Sequence, residues 1–132
     1  MAFQRDLKSA IDVQHSLAPA VGTGSRTGTG VDLLGVDGAV CVVHFGAWTD
    51  GTHTASLQDS SDNTTFTAVS SSNLLGSFTG VSATGSSNST QRVGYIGGAR
   101  YVRAFITASA STVVAATAAT IVRGFANRQP LA

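Results

Sequence analysis

The sequence predicts an all-β protein: a jelly-roll-like antiparallel β-sandwich preceded by an N-terminal arm. Three observations carry that expectation. Charged residues make up only 11% of the chain, there is no Glu, and Lys8 is the one lysine. The exposed faces of long helices normally draw on those residues. Ser and Thr together number 32, beside 15 Gly, a composition suited to strands and turns. Short apolar runs are punctuated by turn signals at intervals of about 8–12 residues, as in a sandwich. Long polar crossings between some of the runs fit a jelly roll, whose strands switch sheets. At 132 residues the chain is one domain, able to bury roughly two thirds of its unfolded surface.

Residues 1–20 read as the arm. Phe3, Leu7 and Ile11 recur at helical spacing, whereas Ile11, Val13 and Leu17 alternate with polar residues as in a strand. The arm, residues 1–20, is expected to reach a neighbouring subunit; the alternative is that 11–18 form the first strand of the chain's own sheet. Residues 21–30, VGTGSRTGTG, form a glycine-rich loop without the G-K-[ST] of a phosphate loop, and a flexible connection is expected. The sandwich domain spans 31–132. Val31 to Leu34 is its first strand, Val36-Asp37-Gly38 a turn, and AVCVVHFGAW (39–48) a long strand apolar on both faces. A strand of that kind lies centrally, covered on both sides.

Asp50-Gly51 is a turn dipeptide leading into a threonine-rich hairpin. Its strands are Thr54 to Gln58 and Thr65 to Val69, joined by the polar turn 59–63. Residues 70–90 make a polar crossing, and Gln91 to Ile96 and Arg100 to Ala108 are strands. Thr112 to Arg123 is rich enough in alanine to suit a helix, but its β-branched residues at 112, 113, 114, 117, 120, 121 and 122 tip it to strand. The expected core contains Val40, Val42, Phe45, Leu57, Phe66, Val102, Ile106 and Ile121. Because 39–48 and 113–122 both carry apolar outer faces, self-association is expected, most simply as a dimer.

Little in the chain points to chemistry. The net charge of +1, with no run of basic residues, disfavours nucleic acid. His15, His44 and His53 lack metal-ligand spacing, and DSSDN at 59–63 lacks the pattern of a calcium loop. With no G-x-S-x-G elbow and no Glu, acid–base or nucleophilic catalysis has weak support. Cys41 stands alone in an apolar run and reads as an inert buried thiol. No cofactor, metal or catalytic residue is expected. MAFQRDLKSA lacks the apolar core of a signal peptide, and no run approaches the roughly 20 apolar residues of a membrane span. The protein is expected to stay where it is made. Seven arginines to one lysine point to planar pairing with carboxylates, with Arg100 and Arg103 the candidates.

A resemblance adds to this. VDLLGVDGAVCVVHFGAWTDGTHTASLQDSSDNTTFTAV (31–69), RVGYIGGARYVRAFIT (92–107) and a terminal IVRG resemble a family of small virion proteins of tailed bacteriophages. The shared pattern is a strand ending in T-D-G, then L-Q-x-S-D-[DN]-x-x-x-[FW]-T, then V-G-Y-x-G-x-x-R-Y-[LV]-R. It covers 31–124, about 70% of the chain. The preferred implication is a jelly-roll capsid decoration, or cement, protein: non-enzymatic, made in the host cytoplasm and bound to the capsid exterior. Its partners would be the major capsid protein and its own copies, with no nucleic acid and no membrane. Candidate contacts are Phe3, Arg5, Leu7, Lys8, Ile11, Val13, Leu17 and Trp48. The alternatives are a head–tail connector or tail component, and a carbohydrate-binding module with Trp48, Tyr95 or Tyr101 as stacking residues.

Overall fold

The computed structural model describes residues 6–22, 24–83, 85, 87–109 and 114–126. Its strands are β1 (Ile11–Gly22), β2 (Arg26–Thr27), β3 (Val31–Asp32), β4 (Val36–Asp50), β5 (His53–Ser60), β6 (Thr67–Ala68), β7 (Leu74–Leu75), β8 (Ser89–Tyr95), β9 (Tyr101–Ala108) and β10 (Val114–Ala126). A 3-10 turn, Ser71–Asn73, precedes β7. The strands form two antiparallel sheets. The first has the order β1-β10-β4-β8-β7, and the second β2-β9-β5-β6 with β3 also beside β9. Interleaving β1, β10, β4 and β8 against β2/β3, β9, β5 and β6 is the order that two Greek keys produce when wound into a jelly roll. The all-β sandwich expected from composition is the fold.

The core lies between the inner faces. Cys41, Val43 and Phe45 of β4, Val93 and Tyr95 of β8, and Ala119 and Ile121 of β10 meet Ala55 and Leu57 of β5 and Val102, Ala104 and Ile106 of β9. Of the expected core, Phe45, Leu57, Val102, Ile106 and Ile121 are buried. Val40 and Val42 are half-buried on the opposite face of β4, and Phe66 is half-buried beside β6. Where both faces of a strand are apolar, alternation alone cannot say which face points inward.

Residues 11–22 form an edge strand of the chain's own sheet, from Ile11 opposite Gly124 to Gly22 opposite Ala115. For 11–18 the alternative, a first strand of the chain's own sheet, is the one observed, because β1 pairs with β10 of the same chain. Two register shifts, between His15 and Leu17 and between Leu17 and Ala20, mark bulges. They bring the adjacent Ser16 and Leu17 both inside. Leu17 is therefore a core residue and offers nothing to a partner.

The glycine-rich segment is not merely a connection. Arg26 and Thr27 pair with β9, and Gly28 is buried. The amide of Gly28 donates to Ala104 O at 2.8 Å, and that of Thr29 to Ser16 O at 2.8 Å. A backbone bridge thus joins β1 of one sheet to β9 of the other. The Gly28 position tolerates no side chain, because a Cβ there would lie 2.3 Å from Ser16 Oγ and 2.6 Å from Ala104 O.

Two further turns differ from expectation. β4 begins at Val36, so the turn placed at 36–38 falls one step earlier, with Gly35 at φ +88°. The returning strand after β5 shrinks to Thr67–Ala68. Asp62 holds the loop before it, its carboxylate accepting from Thr64 N and Thr65 N at 2.9 Å and from Ser60 Oγ at 2.8 Å. The crossing at 70–90 carries a core residue, Val81, whose backbone pairs with His53. Gln91 fastens the same crossing to β8 by bonding both Thr79 N and Thr79 O.

Candidate interaction face

The strongest candidate for a functional surface is the outer face of the first sheet, over its two central strands. On β10 the outward positions are Ala116, Ala118, Thr120, Val122 and Gly124, and on β4 they are Val40, Val42, His44 and Gly46. Only His44 among them can titrate. These side chains are small, so β10 and β4 present a low, nearly flat floor. Gly46 faces Ala116 closely enough that a Cβ on it would come within 3.0 Å of the Ala116 Cβ.

Two hollows mark the ends of this floor. One, of about 200 Å³, lies among Pro19, Ala20, His44, Gly46 and Ala118. The other, of about 520 Å³, is an apolar groove across the opposite end, with Leu7, Ile11, Val40, Val122, Ile96 and Leu75 among its walls. Leu75, Ile96, Leu7 and Val13 rank among the exposed large apolar residues. A separate hollow of about 400 Å³ sits at the end of the sandwich between the loops 33–38 and 97–100.

The expected contact residues divide in this frame. Ile11 and Val13 lie on β1 at the border of the floor, and Leu7 walls the groove. Lys8 is exposed in the turn before β1, closed by Ala10 N donating to Leu7 O at 3.0 Å. Phe3 and Arg5 lie outside the described residues. Trp48 does not reach this face. β4 holds an extra residue opposite β10 between Phe45 and Trp48, and this bulge reverses the alternation, so Trp48 packs against the core. Its indole Nε1 donates to Gly51 O at 2.7 Å.

The motif residues of β5, β8 and β9 bind one another. The Arg100 guanidinium pairs with both carboxylate oxygens of Asp32 at 2.9 Å, and this holds the Asp32 carboxyl down to about 2. Arg103 lies 4.0 Å over the Phe66 ring and donates to Gln58 Oε1 at 2.7 Å, not to a carboxylate. Tyr95 OH donates to Asp59 Oδ2 at 2.8 Å and accepts from Ala99 N at 3.0 Å. Burial pushes that phenol up to about 12. The two motifs of the resemblance are therefore two halves of one packing unit.

Sequence reasoning missed Arg26. From β2 it crosses to the first sheet, donating to Thr117 O, Thr117 Oγ1 and Ala18 O at 2.6 to 2.7 Å. Its partners are mostly carbonyls, and no sequence pattern marks a carbonyl as a ligand. Arg123 behaves similarly, donating to Asp32 O at 2.8 Å and pairing with Asp12.

Chemically the surface is quiet. Burial pushes the Cys41 thiol up to about 12, so it is no nucleophile at neutral pH. Among the described residues, no group of three or more His, Cys, Asp or Glu converges as a metal site would. His53 is buried with Nε2 3.1 Å from Asp50 O.

No family model matches the chain, and no curated protein matches it in sequence. Among solved structures, the PBSX exported protein XepA is similar over 100% of this chain, with a TM-score of 0.58 and 15% identity. The chain spans 42% of that protein's length. At this identity the likeness is one of fold.

Proposed function

We propose that this protein is a non-enzymatic structural component of a phage virion, a decoration protein that binds the capsid exterior through the outer face of its first sheet. The observation that carries this reading is the face itself. Its two central strands turn seven side chains and two glycines outward, and one of those side chains is ionisable. A close-packing strip of small side chains, with the exposed Arg92 of β8 beside Val42 at its border, suits repeated docking against a shell, and so does a rigid fold. The fold shared with the PBSX exported protein XepA is compatible with this reading, as is the resemblance of residues 31–124 to phage virion proteins.

The carbohydrate reading is less well supported by its three aromatic candidates. Trp48 and Tyr95 have their polar ends bonded inside the protein, and Arg100 lies 5.1 Å over the Tyr101 ring. Counting copies per particle by quantitative mass spectrometry tests the proposal. A decoration protein is present in hundreds of copies, whereas about 6 or 12 would assign it to the head–tail connector or tail. Purified protein added to undecorated shells should bind to saturation and raise their melting temperature.

A further inference from the structure

The first sheet ends on an open edge that fits a second copy of itself. We propose that two molecules pair side by side through β1, antiparallel, with a two-fold axis at Val13. The inference does not rest on the decoration reading.

The first observation is the edge. Among the described strands, β1 is the outermost of the first sheet and is 12 residues long. The strands at the other ends of the two sheets, β7, β2 and β6, have two residues each. A long edge presents a row of unpaired N–H and C=O groups to any further strand, and proteins blunt such edges with bulges, proline or lysine. Here the blunting covers one half alone. Both bulges fall between His15 and Ala20, and Pro19 lies there too. From Ile11 to His15 the register with β10 is unbroken, with no proline or lysine. The one carboxylate in that run, Asp12, is already paired with Arg123.

The second observation is the register. Residues directly opposite one another share a face of a sheet, so the axis of a symmetric antiparallel pair passes through a residue. At Asp12 it would set two carboxylates opposite each other, which is destabilising. At Gln14 the pairing would run into Ser16, which is buried at the first bulge. An axis at Ile11 or His15 would leave most of the run unpaired. At Val13 all five regular residues pair: Val13 with its own copy, Ile11 with His15, and Asp12 with Gln14. Each carboxylate then lies beside a carboxamide of the other copy.

The third is an apolar row that this axis extends. On the outer face Val13 stands opposite Val122, Val122 opposite Val40, Val40 opposite Gly94, and Gly94 opposite Leu75. The row crosses all five strands of the sheet and ends on Val13, which is 54% exposed. Setting Val13 against its copy covers that end and carries the row into the second molecule, so the two sheets become one. The edge is self-complementary, as an isologous contact requires. A pair so built keeps both floors open on one side, whereas a face-to-face pair would cover them.

Light scattering of the full chain, read together with cross-linking, tests this. The natural chain should be a dimer at high micromolar concentration. Val13→Lys should be a monomer with an unchanged melting temperature, because the side chain at 13 is mostly exposed. Val13→Cys should give a disulfide-linked dimer under mild oxidation, since the two thiols would face each other across the axis. Cys41 is buried and adds no background. Val21→Cys, on the same edge beyond the bulges, should stay unlinked, because its copy would lie roughly 50 Å away. A natural chain that is monomeric, or larger than a dimer, would overturn the proposal. So would failure of Val13→Cys to cross-link. A dimer that survives Val13→Lys would also overturn it, and loss of that dimer in Ala118→Asp would assign self-association to the floor instead.

Discussion

Ser16 shows how much one small side chain can organise. Its hydroxyl donates to Thr29 O at 2.8 Å and accepts from Ala104 N at 2.9 Å, so it spans both sheets from inside a bulge. Ser16→Ala would leave the buried Ala104 amide without a partner, and about 1–3 kcal/mol of stability should be lost in urea unfolding. Gly28→Ala should cost at least as much, because its Cβ would meet a backbone carbonyl that cannot rotate away. Asp32 governs an acid-sensitive contact. Pairing with Arg100 lowers its folded pKa to about 2, below the usual carboxylate value of about 3.9. The folded state therefore favours the ionised form, and this stabilisation is complete above about pH 4 and lost as pH falls toward 2. Both partners are over 40% exposed, so the contribution is modest. Asp32→Asn should flatten the pH dependence of unfolding between about pH 4 and 2 and lower stability slightly at neutral pH.

At the scale of the element, what could be read from the sequence depended on whether a local rule had one answer. β5, β8 and β9 were legible because each sets large apolar residues against polar ones, and Asp50-Gly51 because a tight turn needs the positive φ that Gly51 adopts. β4 was legible as a strand but not in its facing, since Val40, Val42 and Val43 are equally apolar. The bulge before Trp48 then reversed its parity, and a bulge leaves no mark in composition. β2 was invisible because two residues in a glycine-rich run carry no period; tertiary bonds from β9 define it. Of the candidate face, the sequence revealed two apolar strands but not that β4 and β10 are adjacent, which is a property of topology. The facing makes a direct prediction. Ile121→Ala, on the inner face, should cost about 2–5 kcal/mol. Phe105→Ala, expected to cost about 3–5 kcal/mol if fully buried, should cost less, because Phe105 is half-buried on the outer face of the second sheet. Chemical denaturation of the two variants would invert that order if the inner face were misassigned.

At the scale of the molecule, the two outer faces differ in a way that separates docking from stability. The second sheet turns outward Thr54, Ser56, Gln58, Arg103 and Thr107 around the half-buried Phe105, a mostly polar surface able to face water. The first sheet turns outward the mostly small and apolar floor of β10 and β4, which carries His44 and is bordered by Arg92 of β8. An isolated protein with such a floor should self-associate, so light scattering at high micromolar concentration should report a dimer, and a monomer would count against docking by this face. A charge placed on the floor should then act on assembly alone. Ala118 sits at its centre, half-buried and opposite His44. Ala118→Asp sets a carboxylate where water can still solvate it in the free protein, so melting should change by little. Against a shell the same carboxylate must be desolvated without a partner, a cost of several kcal/mol. Binding to undecorated capsids should therefore fall by at least a hundredfold, on the order of 3 kcal/mol. Thr107→Asp, equally charged but on the exposed end of the other sheet, should bind as the natural chain does. If both variants decorate capsids equally, or if Thr107→Asp alone fails, the docking surface lies elsewhere on the molecule.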